Sequence, residues 1–219
     1  MSIIIDFEGL DGSYKETNAL RLKKYIKDHI CDNNIDIVYE SFPRYTNNGS
    51  YFIKQYLKGK YNYIPFKVVS QLFLLDMMDW WKTHKKDNTI YILDRFYFSM
   101  LYYLTPLKND LSIKKLDKTI NVIHDVYGLP KVNIVIKMNN SLENMITVLK
   151  NKKNADMYEK DIEYLINVRK RYNKFNFNKY IDTRNIHGVL DIDVVNKDEE
   201  EVFNEILDND IIKSIMNKE

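Results

Sequence analysis

Short apolar segments rich in β-branched residues alternate with longer amphipathic segments along this 219-residue chain. The short runs are typical of buried strands, and apolar residues spaced three or four positions apart predict helices. Regular alternation of the two predicts an α/β fold, a central parallel five-stranded sheet with helices on both faces. The predicted strands are Ser2–Phe7, Ile35–Tyr39, Thr89–Leu93, Val132–Lys137 and Lys179–Asp182. The predicted helices are Thr17–Ile30, Tyr51–Leu57, Phe66–Trp81, Ser112–Tyr127, Leu142–Leu149, Met157–Phe175 and Asp198–Met216.

The overall composition predicts one globular domain over residues 1–219. Hydrophobic residues make up 45% and charged residues 29%, which excludes a disordered chain. The net charge of +2 gives no global field that would favour nucleic acid or a membrane surface. A single cysteine, Cys31, cannot form an internal disulfide, and no apolar segment reaches membrane-spanning length. We therefore expect a cytoplasmic protein that binds neither nucleic acid nor membranes.

Three polar clusters follow predicted strands, at Glu8–Thr17, Glu40–Thr46 and Asp94–Ser99. In open parallel sheets, ligands bind at the carboxyl ends of the strands. We therefore expect the three clusters to converge on one cleft. This convergence, more than any single motif, predicts an enzyme.

The first cluster nearly matches the phosphate-binding loop, G-x-x-x-x-G-K-[S/T] between a strand and a helix. In such a loop backbone N–H groups and the lysine hold phosphates. Gly9 and Lys15 stand in their places, and Gly12 lies between them. A plain strand-to-helix turn with an exposed lysine explains this pattern about as well.

Two positions depart from the loop pattern. Tyr14 replaces the second glycine, and Glu16 replaces the hydroxyl residue, although Thr17 follows at once. We expect the Tyr14 side chain to stand in the phosphate path, and positive φ is disfavoured for it. Glu16 would add an anion beside the triphosphate. Either change would weaken nucleotide binding without removing Lys15.

Six short segments, over residues 3 to about 182, stand in the order and spacing of one enzyme family. They are Phe7–Ser13 (F-E-G-L-D-G-S), Phe42–Thr46 (F-P-R-Y-T), Leu72-Phe73, Asp94–Ser99 with Tyr103, Leu129-Pro130, and Tyr158–Tyr172. These segments resemble the thymidylate kinase family, enzymes that move the γ-phosphoryl group of ATP onto dTMP. The resemblance implies a three-layer P-loop kinase fold with a small lid at approximately residues 150–157, and the use of ATP and Mg²⁺.

The resemblance also implies roles for individual residues. Around the ATP phosphates it places Gly9, Gly12, Ser13, Lys15, Thr17 and Lys153. Around the acceptor nucleotide it places Asp11, Arg44, Phe73, Arg95, Tyr103 and Tyr158. Arg44 and Arg95 would clamp the acceptor phosphate, Phe73 would stack on the base, and Tyr103 would close over the deoxyribose. Asp94 would organise Mg²⁺ through water, with Thr17 as a weaker second ligand, so that Lys15, Asp94, Arg95 and Asp11 form the catalytic set.

These roles agree with the chemistry of phosphoryl transfer, which needs positioning and positive charge around the moving group. A forked guanidinium matches phosphate oxygens, and Mg²⁺ takes few protein ligands because it keeps several waters. Each assignment has a structural alternative. Asp94 and Arg95 could be a capping ion pair, Arg44 a solvated loop residue, and Phe73 and Tyr103 core residues.

The chain departs from the family in two further places. Met77 stands where the family usually carries an arginine near the base, which leaves the choice of base open. The lid contains Lys150, Lys152 and Lys153 but no arginine, and Met157 occupies the usual arginine position. A lysine supplies charge without the two-pronged geometry, so we expect a slower enzyme.

Two other functions stay open from the sequence. A deoxynucleoside kinase would need a carboxylate base such as Glu40 and fewer arginines. A non-catalytic relative that binds a nucleotide or a protein would fit Tyr14, Glu16 and the lid. Family members are commonly homodimers, and the apolar segments Phe66–Trp81 and Tyr97–Tyr103 could form such an interface, but burial within one chain explains them equally well.

Overall fold

The computed structural model describes residues 2–30, 34–46, 50–61, 63–103, 113–153 and 156–216. It contains a five-stranded, fully parallel sheet in the order β2-β3-β1-β4-β5. The strands are β1 (Ile3–Gly9), β2 (Asp36–Ser41), β3 (Thr89–Asp94), β4 (Ile134–Asn139) and β5 (Gly188–Asp193). The helices are α1 (Lys15–His29), α2 (Tyr51–Leu57), α3 (Phe66–His84), α4 (Tyr97–Tyr103), α5 (Ile113–Asp125), α6 (Leu142–Asn151), α7 (Ile162–Lys174), α8 (Glu199–Asp208) and α9 (Asp210–Met216). Cys31 and Ser112 lie outside the described residues.

Helices cover both faces of the sheet, as the alternating pattern predicts. On one face, α1, α8 and α9 bury an apolar cluster against alternate residues of the strands. On the other face, α3 to α7 bury a second and larger cluster that is rich in aromatic side chains. Successive strand side chains point to opposite faces, so Ile3, Ile5 and Phe7 join the first cluster and Ile4 joins the second.

The central strand β1 carries two carboxylates into the aromatic-rich face. Asp6 and Glu8 are both fully buried, two residues apart, and burial raises the pKa of both carboxyl groups. Glu8 accepts several hydrogen bonds from α4 and the residues before it. Neither oxygen of Asp6 has a hydrogen-bond partner among the described residues.

The fifth strand was predicted in the wrong place. Lys179–Asp182 instead begins in a single 3₁₀ turn, Phe177–Lys179, and its Tyr180 and Ile181 fill the core. The strand is Gly188–Asp193, where Leu190 and Ile192 are buried while Asp191 and Asp193 are exposed. This alternation of apolar and acidic residues is the pattern of an edge strand with one buried face.

Two predicted helices differ from the observed ones by more than a shift of one to three residues at an end. The segment predicted as Met157–Phe175 forms turns before Asp161, whose carboxylate caps α7 by accepting from the Tyr164 N–H at 2.9 Å. The segment predicted as Asp198–Met216 is two helices, because Asn209 is extended and its side chain accepts from the Ile211 N–H at 3.0 Å. None of the helices in the described ranges is both long and apolar enough to span a membrane.

Candidate active site

The loops that follow β1, β2 and β3 are joined by backbone hydrogen bonds at one edge of the sheet. The Arg95 N–H donates to the Phe7 carbonyl at 3.1 Å, and the Phe42 N–H donates to the Asp94 carbonyl at 3.0 Å. A cleft at this edge is lined by residues from all three polar clusters, including Asp11, Tyr45 and Arg95. The predicted convergence of the clusters is therefore confirmed.

The loop between β1 and α1 has the tight backbone that the two glycines predict. A Cβ atom at Gly9 would lie 2.6 Å from Ser13 Oγ and 2.7 Å from the Met138 carbonyl oxygen, so only glycine fits there. Gly12 has φ 73° and packs closely against Val148 of α6. Asn140, which follows β4, donates to the Gly12 carbonyl at 2.9 Å and supports the loop from the side.

Lys15 turns into this loop. Its side chain is buried, and Nζ donates to the Leu10 carbonyl at 2.6 Å and to Ser13 Oγ at 3.2 Å. Burial, together with the nearby Arg95 guanidinium, lowers the pKa of the Lys15 ammonium group to about 8. The ammonium group is thus directed at the loop interior, where phosphate oxygens could replace the Leu10 carbonyl and Ser13 Oγ as acceptors of its hydrogen bonds. Thr17 lies half-buried in the first turn of α1.

Tyr14 does not stand in the phosphate path, so this expectation was wrong. Its backbone adopts the left-handed conformation, with φ 58° and ψ 24°, that the missing glycine would have taken. Its half-buried ring packs against the apolar cluster on the α1 face of the sheet. The substitution therefore adds backbone strain, which is of order 1–2 kcal/mol for a side chain in this region, and leaves the loop interior to Lys15.

This geometry predicts the effect of restoring the glycine. Tyr14→Gly and Tyr14→Ala both remove the ring, but only glycine relieves the positive φ. The glycine variant should therefore have a free energy of unfolding about 1 kcal/mol higher than the alanine variant, measured by urea denaturation. Both should bind ATP within about threefold of the wild-type Kd, since the ring is outside the loop. A glycine variant that binds ATP more than tenfold tighter would show that the ring crowds the phosphates.

Asp94 ends β3 beside the loop. Its side chain is buried, and Oδ2 accepts from Ser41 Oγ at 3.3 Å, while Oδ1 has no partner among the described residues. A buried carboxylate oxygen with a free lone pair suits a water held on Mg²⁺. The described residues contain no group of three or more His, Cys, Asp or Glu side chains placed to hold a metal ion.

Arg95, Asp11 and Tyr103 form a hydrogen-bonded cluster at the mouth of the cleft. Arg95 Nη2 donates to Asp11 Oδ1 at 2.9 Å, and the Tyr103 hydroxyl donates to Asp11 Oδ2 at 3.2 Å. The Arg95 guanidinium also lies 5.1 Å from the centre of the Tyr103 ring. Although burial opposes ionisation, Arg95 and Lys15 hold the pKa of the Asp11 carboxyl below its ordinary value. Asp11 is therefore an anion that orients Arg95.

Arg44 lies beside the cleft but not among the residues that line it. Its guanidinium is directed at α3, where Nε donates to Asp76 Oδ1 at 2.9 Å and Nη2 donates to Asp79 Oδ2 at 2.7 Å. The buried Asp76 carboxylate also accepts from the Arg44 backbone N–H and from Ser50 Oγ. These contacts join Arg44 and Ser50 to α3. The structure therefore does not place Arg44 where the predicted acceptor clamp requires it.

Tyr45, the next residue, takes the place in the cleft that was predicted for Arg44. Partial burial and the nearby Asp156 carboxylate raise the pKa of the Tyr45 hydroxyl to about 12, so it remains a neutral hydrogen-bond donor. Asp156 and Glu159 line the same side of the cleft, and Lys152 Nζ contacts Glu159 Oε1 at 2.5 Å. Lys153 is exposed just beyond α6.

The inner end of the cleft is apolar. Phe73 and Met77 of α3 contribute to it, as do Met100 of α4 and Leu165 of α7. Tyr158 also lines the cleft. Its ring stacks on Tyr164 at 4.7 Å between centroids, and its hydroxyl hydrogen-bonds the Tyr56 hydroxyl at 2.5 Å.

Glu8 fixes the segment that carries Arg95 and Tyr103. Its Oε1 accepts from the Ser99 N–H at 3.0 Å and from the Phe96 N–H at 3.3 Å, and its Oε2 accepts from Ser99 Oγ at 2.6 Å and from the Tyr102 hydroxyl. A buried strand carboxylate thus anchors α4 along its length.

Sequence reasoning did not assign roles to Tyr45, Glu8, Asn140, Asp156 or Glu159. For Glu8, the available signal is a carboxylate next to a run of apolar strand residues, because a buried charge needs hydrogen-bond partners. Arg44 and Tyr45 are neighbours in the F-P-R-Y-T segment, yet Tyr45 lines the cleft whereas Arg44 contacts α3. Sequence spacing alone does not resolve this difference.

Comparisons with known proteins point to one enzyme family. A family model described as thymidylate kinase matches residues 7–187. The probable thymidylate kinase 1 of Saccharolobus solfataricus is 30% identical over 185 residues, covering 83% of this chain and 88% of that protein. Among solved structures, thymidylate kinase from Candida albicans, whose study describes the origin of its broad substrate specificity, has a TM-score of 0.71 at 21% identity, covering 100% of this chain and 94% of the other. Deoxyadenosine kinase from M. mycoides with bound dATP has a TM-score of 0.61 at 18% identity, covering 94% and 97%. This chain, with its P-loop kinase fold, belongs to the thymidylate kinase family.

Proposed function

We propose that the protein transfers the γ-phosphoryl group of ATP to the 5′-phosphate of dTMP, giving dTDP and ADP. The observation that carries this proposal is the cluster of Arg95, Asp11 and Tyr103. It lines a cleft together with the apolar side chains of Phe73, Met77, Met100 and Leu165, and it is adjacent to a glycine-containing loop with an inward-facing lysine.

On the donor side, Gly9, Gly12 and Ser13 shape the loop around the ATP phosphates, and Lys15 exchanges its contact with the Leu10 carbonyl for phosphate oxygens. Lys153 at the lid would add charge on the outer side of the triphosphate. Asp94 would hold Mg²⁺ through water, with Thr17 as a weaker ligand. Bound there, the ion would neutralise charge on the donor phosphates.

On the acceptor side, Arg95 binds the dTMP phosphate through its fork, oriented by Asp11. Phe73 stacks on the base, Tyr103 closes over the deoxyribose, and Tyr158 borders the cleft between them. An oxygen of the acceptor phosphate then attacks the γ-phosphorus while its bond to the β–γ bridging oxygen breaks, and ADP leaves. The protein contributes positioning and positive charge.

The Lys15 ammonium group gives the donor site a pH dependence. Because its pKa is lowered to about 8, it loses its proton as the pH rises through about 8, and the neutral amine cannot pair with phosphate. We expect the Kd for ATP to rise between pH 7.5 and pH 9.5 by up to about tenfold per pH unit above the pKa. Titration calorimetry measures this. The Lys15→Met variant should bind weakly at every pH, with no inflection near 8; an inflection that persists in this variant would assign the titration to another group.

One observation favours a second function, the phosphorylation of a deoxynucleoside. Arg44 is engaged by Asp76 and Asp79, so Arg95 alone of the two predicted arginines faces the acceptor. An acceptor without a phosphate needs fewer arginines. A screen of the purified protein with ATP and Mg²⁺ against all nucleoside monophosphates and deoxynucleosides tests both functions. Turnover of dTMP supports the first, and turnover of deoxynucleosides alone would replace it with the second. A cytoplasmic location and a homodimer stay predictions from the sequence.

A further inference from the structure

The apolar end of the cleft offers few side-chain groups that could read the edge of a base. The residues that line the cleft include Leu57, Phe73, Met77, Met100 and Leu165. All five have apolar side chains, and Met77 and Met100 are buried, with exposed fractions of 2% and 6%.

Four hydroxyl-bearing side chains line the cleft, and three of them, Ser99, Tyr103 and Tyr158, already have hydrogen-bond partners. Ser99 Oγ donates to Glu8 Oε2 at 2.6 Å and contacts the Tyr102 hydroxyl at 2.9 Å. The Tyr158 hydroxyl is hydrogen-bonded to Tyr56. The charged side chains that line the cleft are Asp11, Arg95, Asp156 and Glu159. Asp11 and Arg95 form one ion pair, Glu159 pairs with Lys152, and Asp156 Oδ1 accepts from the N–H groups of Tyr158 and Glu159 at 2.8 Å. The fourth hydroxyl, that of Tyr45, lies near these charged groups, so the polar groups with free hydrogen-bonding capacity are at the end of the cleft that would receive the acceptor phosphate.

We infer that this pocket selects the acceptor base by shape and dispersion, without side-chain hydrogen bonds to the base edge from the described residues. The substrate class is therefore deoxynucleoside monophosphates whose base has the size of thymine, including analogues with an altered hydrogen-bonding edge. This inference rests on the proposed function. Methionine supports it, because its flexible and polarisable side chain adapts to bases of slightly different outline.

The discrimination that such a pocket can achieve is limited by its chemistry. An apolar pocket distinguishes ligands that differ by one methyl group by about 10- to 200-fold, whereas a site that hydrogen-bonds its substrate rejects an analogue lacking that group by about 10⁴-fold or more. The two modes of recognition therefore differ by orders of magnitude in kcat/KM.

The test compares dTMP with its 2,4-difluorotoluene isostere, which keeps the shape of thymine but has almost no hydrogen-bonding capacity. The purified full-length protein is assayed with ATP and Mg²⁺, and kcat/KM is measured for both acceptors. We expect the isostere to fall below dTMP by less than about a thousandfold, which lies between the two regimes above. A larger loss would overturn the inference and leave the proposed function intact. No turnover of dTMP would instead overturn the proposed function.

A pair of adjacent methionines on α3 supplies a matched control. Met77 lines the cleft, whereas Met78 is half-buried, packs against the edge of the core and does not line the cleft. Met77→Ala should raise KM for dTMP and for the isostere by the same factor, about tenfold for a lost apolar contact, and Met78→Ala should change neither KM by more than about twofold. Thermal melting shows whether both variants fold. A Met77→Ala effect that differs more than tenfold between the two acceptors would contradict recognition by shape.

Discussion

Arg95→Ala is expected to lower kcat for dTMP by at least about a thousandfold while the protein stays folded. Arg95 follows β3 and lines the cleft. Its backbone has a φ of 64°, and its N–H donates a hydrogen bond to the Phe7 carbonyl. Its guanidinium donates to Asp11. Alanine removes the guanidinium that meets the acceptor phosphate and leaves the Asp11 carboxylate to repel it. Steady-state assays at saturating ATP, with circular dichroism as a check on folding, measure the effect.

Two further variants show whether the loss of kcat is due to the missing charge or the missing fork, and whether it is specific to Arg95. Arg95→Lys keeps the charge without the fork, so its kcat should lie between those of the wild type and the alanine variant. Arg44→Ala removes a guanidinium that contacts α3, so it should lower the melting temperature more than Arg95→Ala does and lower kcat far less. A loss of kcat that is greater for Arg44→Ala than for Arg95→Ala would assign the acceptor clamp to Arg44.

The sequence was sufficient to predict the sheet and the convergence of its loops, because both depend on periodicity and on strand order. Four of the five strands lie where apolar β-branched runs predict them. The fifth was misplaced because the two apolar residues of Lys179–Asp182, Tyr180 and Ile181, pack into the core without forming a strand. A local apolar run does not distinguish these two kinds of burial.

The direction of a side chain was harder to predict than its neighbourhood. Tyr14 was expected to enter the phosphate loop, yet the backbone accepts a left-handed conformation and the ring packs on the sheet. Arg44 was expected to face the acceptor, yet two carboxylates of α3, at Asp76 and Asp79, are nearer partners. In both cases the direction of the side chain depends on residues distant in sequence, so the spacing within the motif does not predict it.

Loss of the Glu8 carboxylate is expected to have the largest effect on stability. Glu8 is fully buried, and its two oxygens accept from two backbone N–H groups and two hydroxyl groups in α4 and the residue before it. Glu8→Ala leaves these donors without an acceptor, and each unsatisfied buried donor costs about 1–3 kcal/mol. We expect the free energy of unfolding to fall by about 3 kcal/mol or more, measured by urea denaturation, with a melting temperature about 10 °C lower.

Glu8→Gln is the matched control, because it preserves the shape and one acceptor oxygen. That oxygen can still accept from the N–H groups of Phe96 and Ser99, while the Ser99 and Tyr102 hydroxyls can rotate to accept from the new amide. Glutamine should therefore cost less than half as much as alanine and keep KM for dTMP closer to the wild-type value, since α4 continues to hold Tyr103 against Asp11. Equal destabilisation by both substitutions would mean that the charge of Glu8, and not its geometry as an acceptor, holds α4 in place.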